Sequence, residues 1–469
     1  VGAIRHITVG AIAPTVDRVW RAVGFDGGTG GAWLSEPGCR LPGGYGSGMA
    51  EVLPFPALHY NLQAAGSFGA VTAPPYDVID SDGRARLLAG SPFNVVALDL
   101  PEPAGPGGDR YQAAAEILEE WTLNGILTQD RDPSVWALTQ EFDRPDGGRQ
   151  TRNAILARVR VEDYGPGRIR PHERTQPGPK QDRLDLTRAT RHNLSPIFSL
   201  TGRDAWPAVE PATGGRPWAE LTDPEDTVHR LWRITDPDVH AAVTDTLADA
   251  ELLIADGHHR YETARAYRDE IGGEGAHCFT LMALTGLDDP GLAVFPTHRL
   301  LTGLGDPDLH DRLERGLFEA FEVEELDAAD PDPDPAGVEG TGCFGYFDGV
   351  TGRRLRLRLR DPGSLERLLP ERSTAYRTLD AAILEQVVFH DLLGMSPEDV
   401  EAKRGLAYAR TVAEAGEAVV SGEAQAAFIL RATPIDQVRA VAEAGETMPP
   451  KSTFFHPKLL SGMAFNPLS

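Results

Sequence analysis

Cysteine is nearly absent from this chain. Cys39, Cys278 and Cys343 lie far apart and form no CxxC pair, which argues against a disulfide scaffold or a cysteine-based zinc site and fits a reducing cytoplasm. Long apolar runs are lacking too: none approaches the length of a transmembrane helix, so no membrane partner is expected. Basic residues are in deficit, 45 Lys and Arg against 70 Asp and Glu, for a formal net charge of −25. That argues against a broad surface for nucleic acid or anionic lipid. A local basic pocket for a small anion needs only a few cations and survives the count. The chain has 13 histidines, but the adjacent His258 and His259 are accompanied by no HxxxH or HExxH, so no dedicated zinc centre is expected. A GxSxG elbow, a GxGxxG after a strand and any internal repeat are also missing.

What is present describes a soluble α/β protein. At 469 residues, with 41% apolar and 25% charged residues, the chain has room for two or three domains, each with its own core. Residues 1–48 are Gly-rich and low in charge, ending in Leu-Pro-Gly-Gly-Tyr-Gly-Ser-Gly before Met49. They are expected to be an over-called or disordered leader, with translation starting at Met49 and the leader absent from native protein. From Met49 the pattern predicts an α/β domain over 49–164, a second over 165–300 and a third over 301–469. Asn94–Leu100 reads as a strand and Tyr111–Asn124 as a helix stopping at Gly125. Ser134–Phe142 and Arg152–Val161 read as paired strands joined at Pro145–Gly148. Gly165–Pro179 is a Pro/Gly-rich separator, and Val239–Asp249 a helix. Leu309–Phe321 reads as a helix leading into the Asp-Pro repeats of Asp330–Pro335, which must be loop. Cys343–Phe347 and Arg353–Arg360 read as a hairpin, and Thr378–Leu393 as one amphipathic helix.

Ile254-Ala-Asp-Gly-His-His-Arg-Tyr-Glu-Thr-Ala264 is the richest stretch. The apolar run Leu252–Ala255 stops at Asp256-Gly257, and a helical pattern (Tyr261, Ala264, Tyr267, Ile271) follows. Strand, turn and helix N-terminus leave free backbone N–H groups and a dipole that favour an anion. Arg260 and two imidazoles beside them point to a phosphate or carboxylate site; the plain alternative is an Asp N-cap with a solvated first turn. A second cluster, Ile169-Arg-Pro-His-Glu-Arg-Thr175 continuing to Lys180, Asp182 and Arg183, reads as an ordered loop because of Pro171 and Pro177. Glu173, among His172 and Arg174, is placed to stay ionised as a general base; otherwise this is a surface loop of neutralised charges. A third cluster, Met448–Lys458, nearly spells a phosphate loop from Gly445. Pro450, where glycine is required, brings no N–H and fixes φ, so the Walker cradle cannot form. Lys451 and Ser452 either reach a phosphate by their side chains or belong to a terminal segment packed through Phe454 and Phe455. Magnesium arriving with a nucleotide needs only one or two carboxylates, and Asp256 and Glu173 are the candidates.

Together these clusters resemble one family. Met49-Ala-Glu-Val-Leu-Pro-Phe, Ala73-Pro-Pro-Tyr-Asp-Val78, Arg170-Pro-His-Glu-Arg-Thr175, Asp256-Gly-His-His-Arg-Tyr261, Pro296-Thr-His-Arg299 and Pro449-Pro-Lys-Ser-Thr-Phe-Phe455 look like the bacterial domain-of-unknown-function family numbered one thousand and fifteen, from Met49 to the C-terminus. More distantly, a Pro-His-Glu loop followed by Asp-Gly-His-x-Arg opening a helix is similar to the ParB/sulfiredoxin-like fold with its free-serine kinases. The resemblance implies a ParB/sulfiredoxin-like core over 165–300 with α/β segments on either side, the longer spacing being an insertion at 201–236. It implies a nucleotide-dependent kinase for a small hydroxyl metabolite such as free L-serine, with ATP or ADP and Mg2+ as cofactors. Glu173 would be the base and His258 a catalytic partner. Asp256, Gly257, His259 and Arg260 would hold phosphate, with Asp256 also on the metal, while Lys180, Arg183, Lys451 and Ser452 would add polar and cationic contacts. The alternative is a nucleotide- or anion-binding regulator without catalysis, and a phosphatase or lyase would use the same anion site.

Overall fold

The computed structural model describes residues 50–469 apart from 145–146, 166–168, 174–176 and 328–332. The leader, Met49, the tip of the 145–148 turn, Arg174, Thr175 and Asp330 lie outside the described residues.

The architecture is mixed α/β. Among the described residues nine strands form a first sheet, in the order Ile169–Pro171, Leu252–Asp256, Ile197–Thr201, Phe279–Gly286, Arg149–Arg160, Val135–Asp143, Val228–Ile234 and Ala219–Thr222, with Val52–Leu53 also on Arg149–Arg160. The expected hairpin is present: Val135–Asp143 pairs antiparallel with Arg149–Arg160. The sheet is buried on both faces. Along Phe279–Gly286, Leu281 and Ala283 enter one apolar cluster while Met282 and Leu284 enter another. Alternation then carries no polar face, which is why this strand reads as a continuous apolar run. Strands from both sides of the expected 164/165 boundary share this sheet, and Val228–Ile234, within the expected insertion, extends it along Val135–Asp143.

A second sheet, of six strands among the described residues, runs Phe321–Glu325, Arg354–Leu359, Cys343–Asp348, Ala426–Leu430, His298–Leu301 and Leu406–Ala409. The Leu/Arg alternation at 354–359 is resolved by facing. Leu355, Leu357 and Leu359 enter the core, while Arg356 and Arg358 reach Glu324 and Glu322 on the neighbouring strand. The helices expected near 111–124, 239–249 and 309–321 form as Arg110–Leu123, Pro237–Leu247 and Pro307–Ala320, each opened by an Asp side chain accepting from a first-turn N–H.

Three local expectations are corrected. Asn94–Leu100 is not a strand: Val96–Asp99 is a buried helical turn, with Asn94 Oδ1 accepting from Val96 N–H at 3.0 Å. A short apolar run buried all round carries no period that separates helix from strand. The separator and charged loop contain the edge strand Ile169–Pro171 and a helix, Pro177–Thr190. Proline at the first helical position costs no hydrogen bond, so Pro177 starts that helix rather than forbidding it. The expected helix Thr378–Leu393 is two pieces, α-helical Asp380–Ile383 and π-helical Leu384–Leu392.

Candidate functional site

Two neighbouring parallel strands bring the site together. Leu252 lies opposite Ile169 and Ile254 opposite Pro171, so their carboxyl ends emerge side by side, where open α/β sheets present a crevice. His172 and Glu173 leave one strand there; Asp256 and Gly257 leave the other. The pairing of Leu252–Asp256 with Ile197–Thr201 shifts register between Ile254 and Asp256, a bulge that re-aims Asp256 beside the turn.

Gly257 is the N-cap of helix His258–Ile271, with φ 93° and ψ 30° and no side-chain cap. A Cβ there would sit 2.8–2.9 Å from the Arg260 guanidinium, so both backbone conformation and space call for glycine. Asp256 is therefore not the N-cap. Its Oδ2 accepts from Arg260 Nη2 at 2.8 Å and its Oδ1 from Lys458 Nζ at 2.6 Å. Burial would raise its pKa, but Lys458 and Arg260 outweigh burial and hold the carboxyl below the usual range. Arg260 also donates to the Pro196 carbonyl.

Two buried histidines lock the strand ends. His172 donates from Nδ1 to the Ile254 carbonyl at 2.5 Å, which leaves Nε2 to accept from Thr453 Oγ1 at 2.9 Å. Its backbone N–H donates to His258 Nε2 at 3.3 Å, so His258 is neutral with its proton on Nδ1. Burial pushes the pKa of both histidines down, and at His258 the neighbouring His172 pushes it further. The hydrogen bond that His258 Nε2 accepts ties the two strand ends together.

The C-terminal segment forms the opposite wall. Met448 N–H donates to the His172 carbonyl at 2.8 Å, and Lys451 N–H to Glu173 Oε1 at 3.4 Å. Buried Arg299 holds this segment, donating from Nη2 to the carbonyls of Pro450 and Lys451 at 3.1 Å. Arg152, also buried, does the same further along, donating to the carbonyls of His456 and Pro457. The result is a pocket of about 260 Å³ lined by Glu173, the whole 256–260 turn, Lys451 and Lys458. Its remaining wall includes Tyr76, Asp77, Tyr408, Arg410 and Phe454. Among the described residues the side chains of Lys451 and Arg410 make no ion pair. Phe454 has the Arg410 guanidinium 5.0 Å and Lys458 Nζ 4.8 Å from its ring centre.

Three expected site residues lie elsewhere. Lys180 donates to Glu262 at 3.2 Å. Arg183 is buried, donating to the Asp99 carbonyl and carboxylate at 2.8 Å and lying 4.2 Å from the centre of the Tyr76 ring. Ser452 is buried and donates to the Pro449 carbonyl at 2.6 Å. Each side chain is used to hold structure, not to face the pocket. A magnesium ion does not fit Asp256 as it stands, because each of its oxygens already accepts from a cation. Among the described residues, no three or more His, Cys, Asp or Glu side chains cluster as metal ligands. Sequence reasoning missed Lys458, Tyr76, Asp77, Tyr408, Arg410 and Phe454 as site residues. Tyr76 and Asp77 stood in a recognised motif and Lys458 in the terminal cluster, so those signals were available. Tyr408 and Arg410 lie in and just past an unremarkable strand and carried none.

The sequence profile of the family described as "Protein of unknown function (DUF1015)" matches residues 52–382. The chain belongs to this family. No curated protein matches the DUF1015 chain. Among solved structures it is similar to a conserved hypothetical protein from Pyrococcus furiosus, at 16% identity and TM-score 0.32 over 64% of this chain and 90% of that one. A free serine kinase in complex with AMP matches at 15% identity and TM-score 0.35, over 67% and 91%. SbnI from Staphylococcus aureus matches at 11% and 0.35, over 65% and 85%. These are distant likenesses. No helix among the described residues is long and apolar enough to cross a membrane.

Proposed function

We propose that this DUF1015 protein transfers a phosphoryl group from a nucleotide to a small hydroxyl metabolite. The observation that carries the reading is that Glu173, the uncapped N-terminus of helix His258–Ile271, Lys451 and Lys458 line one pocket. Phosphoryl transfer asks for little else: a base at the acceptor, fixed geometry and positive charge around the moving group. Glu173 accepts the acceptor's hydroxyl proton while the acceptor's oxygen forms the new bond to phosphorus. The bond to the leaving phosphate oxygen breaks, and the nucleotide departs one phosphate shorter. Lys451 and Arg410 take the transferred charge, and the first-turn amides hold the phosphate. Asp256 acts by fixing Arg260 and Lys458. The motif resemblance to free-serine kinases supports a nucleotide as donor and free L-serine as one acceptor to test.

The test is turnover of ATP or ADP with a panel of small alcohols including L-serine, and calorimetric nucleotide binding. Glu173→Gln is expected to abolish turnover and keep nucleotide affinity. Full activity in Glu173→Gln overturns the assignment of the base. Nucleotide binding with no turnover across the panel replaces catalysis by a binding role.

A further inference from the structure

A second chamber, of about 470 Å³, opens beside the first pocket and shares Glu173, His259, Tyr76, Asp77, Tyr408 and Lys451 with it. Glu173 thus stands at the junction of two compartments. The second is of the size that holds a metabolite with several functional groups, since ligand pockets span about 300–1,000 Å³. It is far roomier than free serine needs.

Its lining is of both signs. Carboxylates of Glu385 and Glu401 and cations of Arg372 and Lys403 face the same void, alongside apolar Leu369 and Val400. Glu385 comes from the π-helical stretch Leu384–Leu392. Winding with i→i+5 bonds sets it beside His390, 3.8 Å away, and brings both to the chamber. Such stretches are rare and recur at functional sites. Arg372 is fixed over the Tyr376 ring at 4.5 Å and lies 3.6 Å from Glu446. A polyphosphate would meet carboxylates here, and a wholly apolar ligand would face charged groups of both signs. A molecule bearing an ammonium and a carboxylate matches a wall of both signs.

We infer that this chamber is the acceptor subsite and takes a zwitterionic alcohol bulkier than free serine, of the size of a hydroxyl-bearing dipeptide, with its hydroxyl at Glu173. This rests on the reading of the first pocket as the phosphate side.

The test is calorimetric titration of the full chain with L-serine and with seryl-leucine, each with and without ADP. Seryl-leucine is expected to bind at least about tenfold more tightly than L-serine, a difference of about 1.4 kcal/mol. Gln386→Trp, which fills the chamber from its wall, is expected to weaken the dipeptide at least about tenfold and leave ADP unchanged. Should that variant fail to fold, near-isosteric Glu385→Gln serves, with a several-fold loss for the dipeptide alone. Equal affinity for serine and dipeptide, or no dipeptide binding, overturns the inference; so does unchanged dipeptide binding in the folded variants. Absent ADP binding with intact dipeptide binding overturns the phosphotransfer reading and supports the chamber as a site in its own right.

Discussion

Lys458 Nζ donates to Asp256 Oδ1 at 2.6 Å across 202 residues of sequence. This ion pair ties the C-terminal segment to the turn that opens helix His258–Ile271. Removing one partner leaves the other charge half-buried and unpaired. Asp256→Asn is expected to cost about 1–3 kcal/mol of unfolding free energy, measured in urea at pH 7. The carboxyl's folded pKa is depressed, so its contribution is fully present above the unfolded value of about 4 and lost as pH falls through the folded one. The stability difference between native and Asp256→Asn protein should therefore shrink as pH is lowered below about 4.

Buried histidines give a second pH dependence of the opposite residue type. Burial holds His298 and His456 at about 4, and His172 and His258 below their ordinary value. The unfolded chain protonates these rings near pH 6.5 and the folded chain does not. Stability is expected to fall as pH drops from about 6.5 to 4, by up to about 1.4 kcal/mol per pH unit for each ring. Urea titrations at pH 7, 6 and 5 measure it; a flat profile would show that the rings charge in place.

Gly257→Ala tests the turn. The residue sits at φ 93° with the Arg260 guanidinium 2.8–2.9 Å from any added Cβ. A loss of about 1–2 kcal/mol is expected from the left-handed backbone alone. Displacement of Arg260 should in addition lower affinity for pyrophosphate, read by calorimetry under conditions where the variant remains folded.

Lys451 and Arg410 test the pocket without testing the fold. Neither side chain has a folded ion-pair partner among the described residues, so alanine at either position should change the melting temperature little. Loss of one charge-assisted contact should weaken nucleotide binding by roughly tenfold, more at low salt than at high. Unchanged affinity in the double variant would remove the anion from this pocket.

Arg299 tests the C-terminal wall from behind. It is buried and donates to three carbonyls, those of Thr297, Pro450 and Lys451. Arg299→Met is expected to cost about 1–3 kcal/mol and to speed amide exchange at Lys451, Ser452 and Thr453. Exchange confined to its native rate would show that the segment is held by other contacts.

Much of the site could be read from local chemistry, because its parts are local. Asp256-Gly257 ends an apolar strand and opens a helix within a few residues, and Glu173 follows a short edge strand. What misled the reading was neighbourhood. Lys180 and Arg183 stand close to Glu173 in sequence, but the helix beginning at Pro177 carries them to Glu262 and Asp99. Ser452 adjoins Lys451, yet the turn through Pro450 and Lys451, where Lys451 has φ 60°, brings its hydroxyl back onto the Pro449 carbonyl. Asn94–Leu100 and Thr378–Leu393 misled for another reason: burial on all sides and π winding both erase the period on which assignment depends.

By itself the sequence determined the mixed α/β class, the principal hairpin and the turn suited to an anion, since each follows from residue type and spacing over a short span. Only the tertiary structure decided that Glu173 faces that turn. The parallel pairing of Ile169–Pro171 with Leu252–Asp256 brings two strand ends together, and pairing between distant strands is set by core packing, not by local pattern. The same packing brought Lys458 to Asp256 and left Lys451 and Arg410 without an ion-pair partner among the described residues.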